Sequence, residues 1–107
     1  MDETQNKLEQ YIETLKNQLD IVTIIIFGSY LTNRFSADSD IDILVVAKEF
    51  SKMNKLEAFK ILSKPIWEVK LNLDPIPASP EEIRSIKRAS FLAEILKTGR
   101  VLYPKSA

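Results

Sequence analysis

Two aspartates, Asp40 and Asp42, are separated by one residue. Asp40 directly precedes an apolar run that ends at residue 46, and Asp42 lies within that run. An ionised side chain resists burial unless it is paired or bound to a cation, so carboxylates beside such a run are costly. In a β-strand, residues i and i+2 lie on one face, about 6.6 Å apart along the chain. Both aspartates can therefore converge on a hard divalent cation such as Mg²⁺, which prefers carboxylate oxygens. A polar loop ahead of the strand would also explain Asp40, but it explains Asp42 less well.

A glycine–serine pair, Gly28 and Ser29, ends a β-branched run over residues 21–27. Glycine lets the backbone approach a ligand closely. A serine at the start of a following short helix adds a hydroxyl group and free N–H groups, where the helix dipole favours phosphate. The pair alone is weak evidence, because a strand-to-helix turn needs little more. Together with the aspartates, it indicates a site for Mg²⁺ and a nucleotide.

The elements that must position these residues follow from hydrophobic periodicity. Apolar residues at helical spacing predict an amphipathic helix over about residues 4–19. Two apolar runs predict buried strands over residues 21–27 and 40–47. Ser51 is a capping residue and predicts the start of a further helix, which Pro65 should end.

In the second half of the chain, alternation of apolar and polar residues predicts a half-buried strand over residues 66–74, with Trp67 in the core. Ser79, followed by a proline and two glutamates, predicts a helix that runs to about residue 98. Two short elements complete the pattern, a helix at about residues 30–33 and a strand at 100–103. This order predicts an α/β (α+β) fold, with a small mixed β-sheet flanked by helices.

Composition limits the kinds of protein this chain can be. Its 107 residues fit one domain, 1–107, with 45% hydrophobic and 28% charged residues. A formal net charge of zero argues against a nucleic-acid module that depends on a broad basic field. The lack of histidine and cysteine excludes Ser-His catalysis, histidine–metal sites and disulfides. The acidic start and the lack of a long apolar run predict a cytoplasmic protein without a membrane span.

Two segments together resemble the minimal nucleotidyltransferase domain of the DNA polymerase β-like superfamily. They are Ile24-Ile25-Ile26-Phe27-Gly28-Ser29 and Ser39-Asp40-Ile41-Asp42-Ile43-Leu44-Val45, at the spacing that the family uses. The ending Gly99-Arg100-Val101-Leu102-Tyr103 is also common in these small proteins. The resemblance implies the polymerase β-like nucleotidyltransferase fold. It also implies an enzyme that uses two Mg²⁺ ions and ATP, or another nucleoside triphosphate, to transfer a nucleoside monophosphate such as AMP to a hydroxyl group.

By that resemblance, Gly28, Ser29 and Ser39 would bind the nucleotide. Asp40 and Asp42 would bind the metal ions and form the catalytic centre. Two ions roughly 3.5–4 Å apart would stabilise the attacking and leaving oxygens of an in-line displacement. Such a mechanism needs no histidine, in agreement with the composition.

The chain departs from the family pattern just after the serine. Many relatives have Arg and then Gly three and four residues later, where this chain has Thr32 and Asn33. Asparagine tolerates the left-handed conformation, so Asn33 can replace the glycine. Thr32, in contrast, removes a cation that could meet phosphate. Arg34 either compensates for that loss or is an ordinary solvated charge.

The same resemblance implies a third carboxylate on a following strand, which would complete the metal site and help to deprotonate the acceptor. Asp74 and Glu68 share one face of the predicted strand, but six residues separate them by about 20 Å, so only one can reach the metals. Asp74 better matches the family's apolar-Asp pattern and is the predicted third catalytic and metal-binding residue. Because Pro75 follows directly, Asp74 could instead be a turn residue, and Glu68 is the alternative.

Minimal proteins of this kind are often antitoxins that modify a tyrosine of HEPN-type toxins. The resemblance therefore implies a toxin partner, and the chain could also form homo- or hetero-oligomers. A HEPN signature requires histidine, so this chain could be only the antitoxin half. The main alternative is a catalytically inactive module of the same fold that neutralises a partner sterically. A small-molecule transferase of the aminoglycoside type is a third hypothesis, less favoured because no second domain supplies half of the pocket.

Overall fold

The computed structural model describes residues 3–32 and 40–105 of the chain. The helices are α1 Glu3–Gln18, α2 Lys55–Val69, α3 Pro80–Arg84 and α4 Phe91–Thr98, and the strands are β1 Ile21–Phe27, β2 Ile41–Ala47, β3 Leu73–Ala78 and β4 Arg100–Tyr103. Two short 3-10 helices, Gly28–Leu31 and Lys48–Lys52, follow β1 and β2. No helix in the described ranges has the length and apolar character that crossing a bilayer requires.

The described strands form one mixed sheet in the order β3-β2-β1-β4. Strand β1 runs antiparallel to β2 and β4, whereas β2 runs parallel to β3. The parallel pair is connected through α2, because parallel neighbours require a crossover. This arrangement confirms the predicted α/β fold with a small mixed sheet flanked by helices. The predicted first helix and the strands at 21–27 and 100–103 are confirmed as well.

Each face of the sheet buries its own hydrophobic cluster, because side chains alternate along a strand. One face, which includes Ile24, packs under α1 and α2. There the buried Tyr11 hydroxyl of α1 donates a 2.6 Å hydrogen bond to the Leu62 carbonyl of α2. The opposite face includes Phe27 and packs against Ile95 of α4. The two faces therefore rest on different helices.

Helix α2 departs most from the predicted elements. Its capping residue is Asn54, not Ser51, since the Asn54 side chain accepts a 2.8 Å hydrogen bond from the Glu57 N–H. The Glu57 carboxylate accepts a bond from the Asn54 N–H in return, which completes a capping box. The helix also continues through Pro65 for one more turn. A proline inside a helix costs a hydrogen bond, but burial of the Pro65 ring in the core offsets that cost.

The predicted strand over residues 66–74 is therefore wrong. Lys70 ends α2 in the left-handed conformation, with φ of 55°, and donates its N–H to the Ile66 carbonyl at 3.0 Å. Strand β3 begins only at Leu73. Trp67, predicted to lie in the core, is 84% exposed on α2. The alternation of apolar and polar residues over 66–74 arises because the end of α2, a short loop and the start of β3 follow one another.

The predicted helix from Ser79 to about residue 98 is two helices. Its start is confirmed, because Ser79 and Glu82 form a capping box, with hydrogen bonds of 3.0 and 3.2 Å. However, α3 has only five residues. Helix α4 then begins at a second capping residue, Ser90, whose hydroxyl accepts a 3.1 Å bond from the Ala93 N–H.

Strand β3 forms one edge of the sheet and contains two prolines, Pro75 and Pro77. The Ile41 N–H donates a 2.8 Å bond to the Asn72 carbonyl, so the even-numbered backbone groups of this segment face β2. The odd-numbered groups, including both prolines, then face outward. Prolines in sheets are confined to such positions because they cannot donate to the ladder.

Candidate functional site

The turn at the end of β1 brings Gly28 directly against Asp42. Gly28 has φ of 78°, a conformation that glycine adopts without steric cost. A Cβ built on Gly28 would lie 3.3 Å from the Asp42 Cγ and closer still to its Oδ2. Both the backbone conformation and the close approach of the carboxyl group therefore require glycine here.

Ser29 stands in the 3-10 helix that follows. Its carbonyl accepts hydrogen bonds from the N–H of Thr32 at 3.1 Å and from the Thr32 hydroxyl at 3.0 Å, which fixes the turn. An open groove of about 450 Å³ lies beside the turn, and its lining includes Gly28, Ser29 and Thr98. Thr98 comes from the distant helix α4, so no local sequence signal could have identified it. The groove gives a ligand access to Gly28 and Ser29.

The register of the sheet brings predicted carboxylates together. Asp42 is the cross-strand partner of Phe27 in β1 and of Asp74 in β3. Asp40 immediately precedes β2. Asp40 and Asp74 are exposed, whereas Asp42 is half-buried. Asp74 therefore lies beside Asp42 although the predicted strand that led to it was wrong.

Burial and the neighbouring carboxyl groups raise the pKa of Asp42 above its usual range. Burial is the largest cause, followed by the charges of Asp74 and Asp40 and by a hydrogen bond with the Asp74 carboxyl group. Each of these effects disfavours the ionised form of Asp42. A bound cation would act in the opposite direction and stabilise the carboxylate.

These carboxyl groups fit a hard divalent cation by their chemistry. Mg²⁺ is usually held by one or two carboxylates together with phosphate oxygens of a substrate. Among residues 3–32 and 40–105, no three carboxyl groups already surround one point as metal ligands. Asp42 and Asp74 are within hydrogen-bonding reach of each other, while Asp40 acts on Asp42 through its charge. The near pair, Asp42 and Asp74, thus offers the expected number of protein ligands, with Asp40 beside it.

The other predicted candidates lie elsewhere. Glu68, the alternative third carboxylate, is exposed on α2 and lines a groove against α1. It is not among the groups that shift the pKa of Asp42. Ser39, like Asn33 and Arg34, lies outside the described residues. The structure therefore brings Asp74, and not Glu68, to the two aspartates of the motif.

Known proteins of similar sequence extend these observations. A family model described as "Polymerase beta, Nucleotidyltransferase" matches residues 9–107. Two similar proteins of Methanocaldococcus jannaschii are named "Putative protein adenylyltransferase MJ1305" and "Putative protein adenylyltransferase MJ0604". The first is 27% identical and is matched over 98% of this chain and 76% of its own length. The second is 28% identical, over 92% of this chain and 97% of its own length.

Two solved structures are also similar. The crystal structure of "a putative nucleotidyltransferase from Sulfolobus solfataricus" has a TM-score of 0.63 and 26% identity, and covers 78% of this chain and 74% of that one. The "toxin-antitoxin with AMP-PNP" has a TM-score of 0.64 over 96% of this chain and 73% of that one. Its identity of 21% makes it a likeness of fold alone. Because the family model spans nearly the whole sequence, the chain belongs to the polymerase beta nucleotidyltransferase family.

Proposed function

We propose that the protein is a Mg²⁺-dependent adenylyltransferase, which transfers AMP from ATP to a hydroxyl group of a partner protein. One observation carries the proposal: the contact of Gly28 with Asp42, together with the cross-strand pairing of Asp42 and Asp74. A turn that can approach phosphate closely thus adjoins carboxyl groups that suit a divalent cation. Both halves of a metal–nucleotide site meet at one end of the sheet.

Each residue of the proposed site has a distinct role. Asp40, Asp42 and Asp74 hold two Mg²⁺ ions, which when bound neutralise phosphate charge and stabilise the attacking and leaving oxygens. Gly28 contributes an unhindered backbone, and Ser29 contributes its hydroxyl and N–H groups to the outer phosphates. Asp42 is half-buried, and its carboxylate lies between the turn at Gly28 and Ser29 and strand β3.

The transfer itself is a displacement at the α-phosphorus. The acceptor oxygen forms a new bond to that phosphorus while the bond to the oxygen bridging the α- and β-phosphates breaks, and pyrophosphate leaves. The acceptor proton passes to a carboxylate, for which Asp74 is best suited because it is exposed on the outer strand β3. An acceptor can therefore reach Asp74 without entering the core.

The choice of AMP and of a protein acceptor has its own support. Both Methanocaldococcus jannaschii relatives carry the name of a protein adenylyltransferase. The likeness of fold to a toxin–antitoxin with AMP-PNP supports a role as an antitoxin. We propose that the protein carries out this role in the cytoplasm. We propose a tyrosine of a HEPN-type toxin as the acceptor. The formal net charge of zero favours a protein over a nucleic acid as the partner.

The experiment incubates the purified protein and a HEPN-type toxin with Mg²⁺ and ATP labelled in either the α- or the γ-phosphate. We expect the toxin to acquire the α-label and not the γ-label, since only AMP is transferred. Asp42→Asn and Asp74→Asn should abolish labelling, because each removes a charged ligand of the metal. Glu68→Gln is the matched control, an exposed carboxylate on α2 whose loss should leave labelling unchanged.

Three outcomes would contradict parts of the proposal. Transfer of the γ-label would identify a kinase instead. Loss of labelling in Glu68→Gln but not in Asp74→Asn would reverse the assignment of the third carboxylate. Toxin neutralisation by the double variant Asp42→Asn/Asp74→Asn as effective as by the unmodified protein would identify an inactive module that acts by binding.

A further inference from the structure

Phe91 presents an aromatic ring to solvent at the start of α4. It follows the capping residue Ser90 and is 62% exposed. Its ring meets the ring of Phe27 edge to face, with centroids 5.9 Å apart and an interplanar angle of 80°. Edge-to-face contact is one of the favourable arrangements of two aromatic rings. Phe91 therefore contacts a buried neighbour while much of its surface is open.

Phe27 connects this ring to the carboxylate site. The Phe27 side chain belongs to the same buried cluster as Leu44, so both lie on the α4 face of the sheet. Asp42, two residues before Leu44, lies on that face by alternation. Phe27 and Asp42 are also cross-strand partners, whose Cβ atoms are expected about 5 Å apart. The exposed ring thus lies one aromatic side chain away from the Asp42 carboxyl group.

We infer that the Phe91 ring stacks on the base of the bound nucleotide, an inference that rests on the proposed function. A nucleotide whose phosphates bind beside the Gly28 backbone and the Asp42 carboxylate has its base about one sugar away from the carboxylates. Phe91 lies one aromatic side chain beyond the same carboxylates, on the α4 face of the sheet. Stacking on an aromatic side chain is favourable for every base, because each base has a π-face. Phe91 therefore adds affinity for adenosine rather than for the phosphates.

The test separates contacts of the base from contacts of the phosphates. Calorimetry measures the binding of two probes in the presence of Mg²⁺, the ATP analogue AMP-PNP and inorganic tripolyphosphate, which has no base. The variant Phe91→Leu removes the aromatic face and should weaken AMP-PNP binding about tenfold, with tripolyphosphate binding unchanged. The variant Phe91→Trp keeps an aromatic face and should retain the affinity for AMP-PNP. A thermal melt of each variant verifies that it is folded.

Phe59→Leu is the matched control, because Phe59 is also exposed but belongs to α2 on the opposite side of the sheet. It should leave the binding of both probes unchanged. If Phe91→Leu binds AMP-PNP as tightly as the unmodified protein, or if it loses affinity equally for both probes, the stacking role is wrong while the proposed function stands. If the unmodified protein binds neither probe, the proposed function fails and the inference with it.

Discussion

The environment of Asp42 depends both on its own strand and on residues that are distant in the sequence. Its ionised form is disfavoured by burial and by the charges of Asp74 and Asp40, and its Oδ2 leaves no room for a side chain on Gly28. The sequence could predict this residue because an aspartate within an apolar strand is unusual. The motif could also predict Gly28, but the contact between the two follows only from the antiparallel register of β1 and β2.

Gly28→Ala tests this contact. The substitution forces an L-residue to φ of 78° and pushes a methyl group into the Asp42 carboxylate, so we expect a loss of roughly 1–3 kcal/mol in unfolding free energy. The loss in binding free energy for AMP-PNP with Mg²⁺ should be larger than the loss in unfolding free energy. Urea denaturation and calorimetry measure the two effects.

Gly99→Ala supplies the comparison for that variant. Gly99 has an ordinary φ of −78°, but a Cβ there would crowd the Ile25 side chain and the Ile95 carbonyl, which lies 2.7 Å away. This substitution should lower stability without weakening nucleotide binding by the folded protein. If both glycine variants bound the analogue equally well, the contact of Gly28 with the site would have no functional importance.

At the scale of elements, the predictions failed at residues whose type can occur in more than one kind of local structure. Pro65 ordinarily ends a helix, yet α2 continues because the ring is buried in the core. Ser90 caps a helix, but the apolar periodicity around it hid the break between α3 and α4. Strand β3 contains two prolines, which a local pattern cannot assign to a strand unless its edge position is known. For Pro65 and for the prolines of β3, the outcome depends on the position in the tertiary fold, which a local pattern does not contain.

Trp67→Ala tests the corrected end of α2. Because Trp67 is 84% exposed, the substitution should change the unfolding free energy by less than about 0.5 kcal/mol. A tryptophan in the core would instead cost about 3–5 kcal/mol. Urea denaturation followed by circular dichroism measures the difference. Leu62→Ala, in the same helix but fully buried, should cost about 2–5 kcal/mol and serves as the positive control.

Glu82→Gln tests the junction of α2 and α3. Burial alone would raise the pKa of Glu82, but hydrogen bonds from Lys55 and from the Ser79 N–H, with the Lys55 charge, lower it below its usual 4.5. A carboxyl group whose pKa is lower in the folded than in the unfolded protein stabilises the fold at pH values above its unfolded-state pKa. This stability is lost as the pH falls through the folded-state pKa. The ion pair is partly exposed, so the variant should lose less than about 1 kcal/mol at neutral pH.

The difference between this variant and the unmodified protein should begin to shrink as the pH falls below about 4.5, where the carboxyl group of the unfolded chain takes up a proton. It should vanish once the pH is also below the lower pKa of Glu82 in the folded protein. Urea denaturation over a series of pH values provides the measurement. Glu81→Gln is the control, since among the described residues the Glu81 carboxylate pairs only with the exposed Arg84, at 3.8 Å, and such a pair should contribute little to stability. A difference for Glu82→Gln that did not vary with pH would exclude the charge as its cause.

At the scale of the whole molecule, the sheet brings the residues of the proposed site together from segments that are far apart in the chain. Gly28 follows β1, Asp42 lies in β2, and Asp74 is brought into register by the crossover through α2. Gly28 and Asp42 are predictable from their own surroundings, and Asp74 is predicted by its match to the family pattern. The proximity of all three depends on the strand order β3-β2-β1. A ligand that binds all three should therefore stabilise the entire fold.

A thermal or urea melt with Mg²⁺ and AMP-PNP measures this coupling. At a hundredfold excess over the dissociation constant, a ligand that binds only the folded state raises the unfolding free energy by about 2.7 kcal/mol. Asp42→Asn should abolish this gain, yet it should be at least as stable as the unmodified protein in metal-free buffer, since it removes a disfavoured charge. Asp20→Asn, an exposed carboxylate before β1, should behave like the unmodified protein.

The two prolines of β3 determine how the sheet can be extended. Of the outward-facing positions 73, 75 and 77, only Leu73 has an N–H to offer, so an incoming strand would find few donors along this edge. Strand addition by another chain is thus directed to β4, at the opposite edge. Asp74 lies at the edge that resists such pairing. A partner could then join the sheet through β4 while the carboxylates stay open to an acceptor.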